Sequence, residues 1–306
     1  MLNIKQLEAL IWVSDLGSFR KAAHHLNTTQ PNISSRIAAL ENTLKVVLMQ
    51  RDAGSVQLTD KGREILTVAR KVLRDAEQIV QIADRPDLVV DKLRLGVTEL
   101  VACTWLHAYL RAIKAAYPAL NVELTVDLSR HLDNELHANR LDLAIQSAPF
   151  ASAASGIIEL GKSPYIWVAA PSLSDGLIGK MNVEDLLPHS VLTHARHTQA
   201  YVELVDHAQD MSLSTARIVS SNSLASCVQM AADGMGVTLL PKALVEKELN
   251  DNSLVKVDVT WTPTPLSFAA RFHAEKAPHY LTHCASMAVD VVKASNVSAT
   301  PAPKDQ

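Results

Sequence analysis

The chain contains 306 residues, of which 48% are hydrophobic and 20% charged, a balance typical of a soluble protein with two domains. No apolar run approaches the roughly 18 residues that a membrane-spanning helix needs, and an aromatic content of 4% argues against binding of single strands by base stacking. The net charge is −3, yet residues 1–74 hold 11 basic and 6 acidic side chains, whereas the remainder holds 18 and 26. A basic N-terminal segment on an acidic body is typical of a nucleic-acid-binding module joined to a second domain.

The first 30 residues predict two short helices and the start of a third. Asn3 and Gln6 can form a capping box, after which apolar residues recur at helical spacing. Gly17 can end this helix and Ser18 can cap the second one. A polar turn, residues 27–29, precedes a helix that one of its threonines can cap. This helix has proline in its first turn, where proline is tolerated. Two helices, a turn and a further helix predict a helix-turn-helix.

The third predicted helix has one face with almost no charge. Its apolar residues face the core: Ile33, Ile37, Leu40 and Leu44. The opposite face is small and polar, with Gln30 at its leading end and Arg36 on its flank. Amide, hydroxyl and guanidinium groups are those that read base edges in the major groove. The pattern predicts a DNA-reading surface, with a plain three-helix bundle as the alternative.

A hairpin and a long helix are predicted next. Val46–Arg51 and Val56–Leu58 predict two strands, with Arg51 placed to contact phosphate. Thr59 can cap a helix that runs to about Arg85. Small and apolar residues repeat along it at spacings of four and three, which predicts a two-helix coiled coil and a dimer: Leu58, Gly62, Ile65, Ala69, Val72, Ala76, Ile79 and Ala83. Packing against the protein's own body is the alternative.

Residues 1–87 resemble the N-terminal part of LysR-type transcriptional regulators. The motifs that carry the resemblance are "SFRKAAHHLNTTQPNISSRIAALE", the hairpin through Arg51 and "LTDKGREIL". The resemblance implies that the third helix enters the major groove, that the hairpin is a wing touching the DNA backbone, and that the long helix dimerises. By position, it assigns DNA contacts to Ser18, Thr29, Gln30, Pro31, Asn32, Ser34, Ser35, Arg36 and Arg51.

After residue 86 the pattern changes to alternating strands and helices. Strands at "DKLRLGV", "NVELTVDL" and "LDLAIQS", with helices between them (the first from about Val101 to Ala116), predict a parallel sheet. A second series runs from "SPYIWVAAP" to "GVTLL", and the strand "LSFAARF" precedes a last helix. The segment "MAADGMGVTLLP" extends the resemblance over nearly the whole chain. It implies an effector domain like a periplasmic binding protein, with two lobes.

The predicted fold class is therefore an N-terminal winged helix-turn-helix, mainly α, plus a long linker helix and an α/β two-lobed periplasmic-binding-protein-like effector domain. The winged helix-turn-helix is expected at residues 1–58, the linker (dimerisation) helix at 59–88 and the effector domain at 89–306. Lobe I is expected at 89–162 and 267–293, and lobe II at 163–266. The tail 294–306 is expected to be disordered, because it is low in large apolar residues.

A ligand cleft is expected between the lobes, at the carboxyl ends of the strands. The residues there predict the effector site: Thr98, Glu99, Leu100, Ser147, His194, Arg196, His197, Thr198, Ser221 and Asn222. Ser221 and Asn222 lie at the start of a predicted helix, whose free amides favour an anion. Arg196 suits a small carboxylate, because its guanidinium can pair both oxygens, although an internal salt bridge is the alternative. Glu99 would repel an anion, so a zwitterion or a hydroxylated acid also fits.

No motif indicates catalysis, a metal site or a cofactor. Nucleophile-elbow, P-loop and dinucleotide patterns are absent, and His194 with His197 lacks the further ligands that a metal needs, as does the group His279, His283 and Cys284. The three cysteines lie far apart without a CxxC spacing, which favours buried reduced thiols.

Three interpretations follow: a ligand-responsive transcription factor, a redox-sensing regulator of the same family, or a two-lobed binding protein or enzyme. The first accounts for the basic module, the heptads and the cleft together. Lys5 and Glu8 precede only a short apolar stretch, unlike a secretory signal, so a cytoplasmic location is expected. Family behaviour implies a tetramer of two dimers on double-stranded promoter DNA and a contact with RNA polymerase, without a membrane partner.

Overall fold

The basic N-terminal segment folds into the helices and the hairpin that its sequence predicts. The computed structural model describes residues 2–52, 55–83, 85, 88–174 and 176–295. The N-terminal module comprises α1 (Ile4–Leu16), α2 (Phe19–His25), α3 (Gln30–Leu44), β1 (Met49–Asp52), β2 (Ser55–Leu58) and the long helix α4 (Asp60–Ile82). The two strands pair antiparallel, which confirms the hairpin.

Each helix of this module begins at a side chain that satisfies otherwise free backbone amides. The capping side chains are those that the sequence predicts: Asn3 for α1, Ser18 for α2, Thr29 for α3 and Thr59 for α4. Thr59 Oγ1 accepts from the Gly62 amide at 2.9 Å and donates to the Val47 carbonyl at 2.8 Å. The start of α4 is thereby fixed to the segment that enters the wing.

Part of the predicted heptad seam of α4 is buried in the N-terminal module, and part of it is exposed. Gly62 and Ala69 are buried against the N-terminal module, and a Cβ at Gly62 would lie 2.1 Å from the Leu48 carbonyl oxygen. Val72 and Ile79 are 40% and 68% exposed, and Val68, outside the predicted seam, is 61% exposed on the same face. The first half of the seam therefore packs within the chain. Val68, Val72 and Ile79 form an uncovered row, called here the α4 stripe.

Lobe I contains a five-stranded sheet in the order β4-β3-β5-β12-β6. Its elements are β3 (Lys92–Val97), α5 (Glu99–Cys103), α6 (Leu106–Ala116), β4 (Asn121–Val126), α7 (Ser129–His137), β5 (Leu143–Ser147) and β6 (Gly156–Ser163), joined near the chain end by β12 (Leu266–Phe272) and α13 (His279–Ser295). The strands β3, β4 and β5 are parallel. The last two strands are antiparallel to their neighbours, because β12 returns from the other lobe.

Lobe II contains a second five-stranded sheet in the order β11-β7-β10-β8-β9. Its elements are β7 (Tyr165–Ala169), α8 (Pro171–Ser174), α9 (Val183–Leu186), β8 (Val191–His194), α10 (Gln199–Asp210), β9 (Ile218–Ser221), α11 (Leu224–Ala232), β10 (Val237–Pro241), α12 (Glu246–Asn250) and β11 (Val255–Val257). The chain passes from lobe I at Ser163 and returns just before Leu266. The tail is expected to begin at residue 294, but residues 294 and 295 form the last positions of α13, and residues 296–306 lie outside the described residues.

The expected parallel pairing of β3, β4 and β5 is confirmed, but each sheet also contains antiparallel pairs, which the sequence does not predict. The strands β6 and β11 are not predicted either. The helix expected over residues 101–116 is instead two helices, because Thr104 leaves helical geometry while its hydroxyl donates to the Leu100 carbonyl at 2.6 Å. Within the described residues, no helix is long and apolar enough to cross a membrane.

The N-terminal module contacts lobe I through Asp15, at the end of α1. The Asp15 carboxylate pairs with Arg70 of α4 and lies 3.7 Å from Lys276 Nζ, and its backbone carbonyl accepts from Asn139 at 3.5 Å. Beside this group, the rings of Trp12 and His25 are in contact, with centroids 3.6 Å apart and planes inclined by 37°. The half-buried His25 thus lies where the two parts of the chain meet.

Lowering the pH from 7 to 5 is expected to lower the free energy of unfolding by about 2 kcal/mol, because His25 becomes protonated more readily in the unfolded chain. Burial, and after it the charge of Arg94, lowers the pKa of His25 to about 4; Asp142 opposes this shift, whereas Lys92 and His24 add to it. The folded pKa of His25 lies below its unfolded value near 6.5. The contribution of neutral His25 to the stability of the fold is therefore complete above pH 6.5, and it is lost as the pH falls towards 4. Urea unfolding at both pH values measures it.

The control for this expectation is His25→Gln, which cannot titrate. The variant is expected to lose about 2 kcal/mol less than the wild type between pH 7 and pH 5. An identical pH dependence of the two proteins would show that His25 is not the group responsible.

Candidate functional site

The exposed face of α3 is uncharged along its whole length. The exposed side chains of this helix are Gln30, Pro31, Asn32, Ser35, Ala38, Asn42 and Thr43, whereas Ile33, Ile37 and Leu40 are buried. Capping by Thr29, together with proline in the first turn, starts the helix where this face begins. A small, polar and uncharged helix face can approach base edges closely and offers the amide and hydroxyl groups that read them.

Several predicted DNA contacts have structural roles as well. The hydroxyls of Ser18 and Thr29 accept from helix amides, and Asn32 Nδ2 donates to Thr28 Oγ1 at 2.8 Å. Ser34 and Arg36 are half-buried on the flanks of α3. The charge of Arg36 acts on Glu8 of α1, where burial raises the pKa of the carboxyl and Arg36 opposes that rise.

The wing is anchored to α3 through Glu41. Glu41 Oε1 accepts from the amides of Leu48 and Met49 at 2.7 and 3.2 Å, at the start of β1. Arg51 lies in β1 and its backbone pairs with Val56, but its side chain is outside the part of the chain that the structure describes. Its phosphate contact stays a prediction.

A cavity of about 320 Å³ lies between the two lobes. Seven of the ten predicted effector residues line it: Thr98, Glu99, Leu100, Ser147, His194, His197 and Thr198. The other three do not. Arg196 is exposed and its Nε donates to Ser220 Oγ at 3.3 Å, Ser221 Oγ accepts from the Ser223 amide at 3.1 Å, and Asn222 is exposed.

The cavity also has walls that the sequence does not predict. The further lining residues include Asp127, Leu128, Ser129, Arg130, Pro149, Phe150, Tyr165, Gln199, Leu224, Pro241, Leu266 and Phe268. Ser129 and Arg130 follow the carboxyl end of β4, as Thr98 follows that of β3. The expectation that residues after the strand ends line the cleft therefore covers them as well. Phe268 could not be found in that way, because it lies within β12.

Glu99 crosses the cavity and binds the start of α11. Its Oε2 accepts from the Leu224 amide at 2.7 Å, and its Oε1 accepts from Ser223 Oγ at 3.0 Å and from the Ala225 amide at 3.3 Å. Glu99 stands in lobe I at the start of α5, whereas α11 belongs to lobe II. The carboxylate therefore links the lobes through the helix end that the sequence suggested for an anion.

Two lining residues carry buried polar atoms without a partner. They are Thr98, through Oγ1, and His194, through Nε2. Thr98 is 8% exposed and precedes α5 without making a capping hydrogen bond. Burial lowers the pKa of His194 despite the opposing effects of Glu99 and of a hydrogen bond to the Asn222 backbone, so the imidazole is neutral near pH 7.

The cysteines do not resemble a thiolate redox site. Burial raises the pKa of Cys227 to about 11 and that of Cys284 to about 12. Burial, and after it the charge of Glu99, also raises the pKa of the exposed Cys103. Thiols with raised pKa values are poor nucleophiles at neutral pH. Among the described residues, no group of three or more His, Cys, Asp or Glu could hold a metal ion.

Two family models match the chain. The model described as "Bacterial regulatory helix-turn-helix protein, lysR family" matches residues 4–63, and the one described as "LysR substrate binding domain" matches residues 87–290. One relative, the probable hydrogen peroxide-inducible genes activator of Streptomyces viridosporus, is 29% identical over 290 residues, or 91% of each chain. Another, the HTH-type transcriptional regulator EstR of Acinetobacter baylyi, is 26% identical and covers 83% of this chain and 85% of its own.

Solved structures agree with this fold along the whole chain. A full-length OxyR variant from Pseudomonas aeruginosa has a TM-score of 0.60 at 20% identity, covering 100% of this chain and 99% of its own. Full-length LysG from Corynebacterium glutamicum with bound effector arginine has a TM-score of 0.56 at 22% identity, covering 96% and 99%. The two matched models cover the three N-terminal helices, the hairpin and both lobes, and the chain belongs to the LysR family of bacterial helix-turn-helix transcriptional regulators.

Proposed function

We propose that this LysR-family regulator reads double-stranded promoter DNA with α3 and that a small molecule between its lobes changes how it binds. The observation that carries the proposal is the uncharged exposed face of α3 on a module whose residues 1–74 hold 11 basic and 6 acidic side chains. The basic surroundings attract the phosphates, while this face offers groups suited to base edges. Gln30, Asn32 and Ser35 lie on the face, and Arg36 flanks it.

Dimerisation through α4 is the second part of the proposal. Two reading helices bind successive major grooves only if a two-fold connector holds them about one DNA turn apart. The α4 stripe offers three apolar side chains with 40–68% exposure to a second copy. Family behaviour extends this arrangement to a tetramer on DNA, in the cytoplasm, with a contact to RNA polymerase.

The cleft supplies the response to a ligand. Its two walls belong to separate lobes, so a molecule that fits one lobe arrangement better than another shifts their equilibrium by that difference in affinity. The sequence suggests a small carboxylate, and Arg130 is a guanidinium in the lining, but Glu99 and Asp127 line the same cavity. The raised pKa values of all three cysteines favour a bound ligand over the thiol-based alternative.

Selecting duplexes from a random pool with the full chain tests the DNA-reading role. The selected duplex is expected to bind about 10³-fold more tightly than a shuffled one at physiological salt. Arg36→Ala is expected to weaken binding to the selected duplex by about 10-fold to 100-fold, with less effect on the shuffled one, because a base contact is worth about 1–3 kcal/mol. Fluorescence anisotropy measures both affinities.

Two comparison variants make this result specific. Arg51→Ala is expected to weaken both duplexes alike, since phosphate contacts carry no sequence information. Ser35→Glu places a carboxylate in the middle of the reading face and is expected to abolish specific binding. If Arg36→Ala lowered the affinity for both duplexes equally, Arg36 would not contact a base. If Ser35→Glu kept the full affinity for the selected duplex, α3 would not be the element that contacts DNA.

A further inference from the structure

The start of α11 is the natural anion site of the cleft, because the first amides of a helix have no partner within the helix. In this chain the site is already occupied by the side chain of Glu99. Its two carboxylate oxygens accept from the Leu224 amide at 2.7 Å, the Ser223 hydroxyl at 3.0 Å and the Ala225 amide at 3.3 Å. A carboxylate of the protein thus stands where a ligand carboxylate would bind.

The other charged groups of the lining are of opposite sign and give an anionic ligand no net advantage. Asp127 is a second carboxylate in the lining, and Arg130 is the guanidinium that lines it. Hydrogen bonds to an ionised group are the stronger class, so an anion would have to displace Glu99 from three of them or lie beside its charge. Neither course favours a carboxylate over an uncharged ligand of the same shape.

The lining nevertheless offers hydrogen bonds that nothing in the chain uses. Thr98 Oγ1 and His194 Nε2 are buried without a partner, and Thr98 is only 8% exposed. In a neutral imidazole one ring nitrogen donates and the other accepts, so the unpartnered Nε2 of His194 suits a group that can do both. A hydroxyl group suits both atoms, because it can donate to the imidazole nitrogen and accept from the threonine.

The surroundings of these two atoms are largely apolar. Leu100, Phe150, Leu224, Leu266 and Phe268 all line the cavity, and Arg271 fixes the Phe150 ring from behind, with its guanidinium carbon 4.3 Å from the ring centroid. A cavity of about 320 Å³ has room for an aromatic ring system. Apolar walls with a few polar atoms are typical of a site for a small organic molecule.

We propose that Glu99 permanently occupies the anion site at the start of α11 and that the cleft binds an uncharged aromatic alcohol or phenol. The hydroxyl groups of this ligand form hydrogen bonds with Thr98 and His194. This inference rests on the proposed function, since it names the ligand class of the same cleft. Because Glu99 joins the lobes, the arrangement seen here is held together by the chain itself. A bound ligand then acts by changing the distance between the two lobes around the contact of Glu99 with α11.

Three probes of equal shape and different charge test the proposal on the full chain: benzyl alcohol, benzoate and benzylammonium, each with its naphthyl analogue. An alcohol at about ten times its Kd is expected to raise Tm by about 3 °C, whereas the carboxylates leave Tm unchanged. Stabilisation by a carboxylate or an ammonium compound in preference to the alcohols would overturn the ligand class, and so would silence of all six probes.

Two variants separate a ligand role from a merely structural one. Glu99→Ser frees the amides of α11, and its affinity for benzoate is expected to exceed that of the wild type by at least about tenfold. Thr98→Val keeps the side-chain shape and removes the hydroxyl, so the affinity for the alcohols is expected to fall at least about fivefold, with the weak binding of benzoate unchanged. No gain of benzoate binding in Glu99→Ser, or no loss of alcohol binding in Thr98→Val, contradicts the proposal.

Failure of the ligand class is distinguishable from failure of the proposed function. Binding to the selected duplex depends on α3 and needs no probe. A protein that prefers its selected duplex but ignores the alcohols is a DNA-binding regulator with another ligand. A protein that binds the alcohols but no DNA sequence in preference to another is a two-lobed binding protein.

Discussion

Arg271→Met is expected to lower the free energy of unfolding by about 3–5 kcal/mol, because it leaves a buried carboxylate without its counter-charge. Arg271 and Asp133 are 1% and 2% exposed, and the guanidinium donates to Asp133 and to the Ser152 carbonyl. Gln146 also donates to Asp133, at 3.1 Å. The group ties α7, β5 and β12 together behind the wall of the cleft that carries Phe150.

The double variant Arg271→Met with Asp133→Asn is the matched control. An amide oxygen at position 133 can still accept from the Ser152 amide or from Gln146, and no buried charge remains, so the double variant is expected to be more stable than Arg271→Met alone. Urea unfolding measures both. A double variant as unstable as the sum of its parts would show that the charges of Arg271 and Asp133 are not coupled.

The same pair has a defined dependence on pH. Burial alone would raise the pKa of Asp133, but hydrogen bonds from Ser152 and Gln146 and the charge of Arg271 lower it below its usual range. A carboxyl whose folded pKa is lowered contributes stability above its unfolded pKa of about 3.9, and that contribution is lost as the pH falls through the folded value. The difference between the wild type and Arg271→Met is therefore expected to be complete at pH 7 and to shrink below about pH 4.

Replacing Val72 and Ile79 together by aspartate is expected to separate the dimer and to weaken binding to the selected duplex by at least about 100-fold. Val72 and Ile79 are 40% and 68% exposed, so two carboxylates at these positions should leave the fold of one chain intact. They would, however, face their own copies across a two-fold seam. Sedimentation velocity measures the association and fluorescence anisotropy the affinity.

The control for the α4 stripe is Gln78→Asp, an exposed position on another face of the same helix. This variant is expected to remain dimeric and to bind the selected duplex like the wild type. A double variant that still sediments as a dimer at micromolar concentration would mean that the copies meet elsewhere.

Local signals let the sequence predict most of the N-terminal module. Asn3, Ser18, Thr29 and Thr59 each cap a helix within three residues of themselves, so the boundaries need no information about the rest of the chain. The division of the α4 seam depends on α1 and on the close approach of Gly62 to the Leu48 carbonyl. The heptad pattern could not predict that division, because the same pattern suits packing against the N-terminal module and packing against a second copy of α4.

Contacts between residues distant in sequence account for what was missed in the effector domain. The direction of β12 depends on the chain having passed through lobe II, and no property of "LSFAARF" reveals it. The sequence predicts Glu99 at the cleft, but the hydrogen bonds of its carboxylate reach residues 124 to 126 positions away. The sequence therefore presented α11 as an open anion site, whereas the fold closes it with a carboxylate.

The affinity of the full chain for its cleft ligand, measured with and without the selected duplex, tests most directly whether this protein is a ligand-responsive regulator. If the cleft and α3 are coupled, DNA changes the Kd of whichever probe binds the cleft by about 5-fold to 150-fold, because coupling free energies are reciprocal and typically 1–3 kcal/mol. A shuffled duplex leaves the Kd unchanged. An identical Kd in the presence and absence of the selected duplex would contradict the account, since the two sites would then act independently.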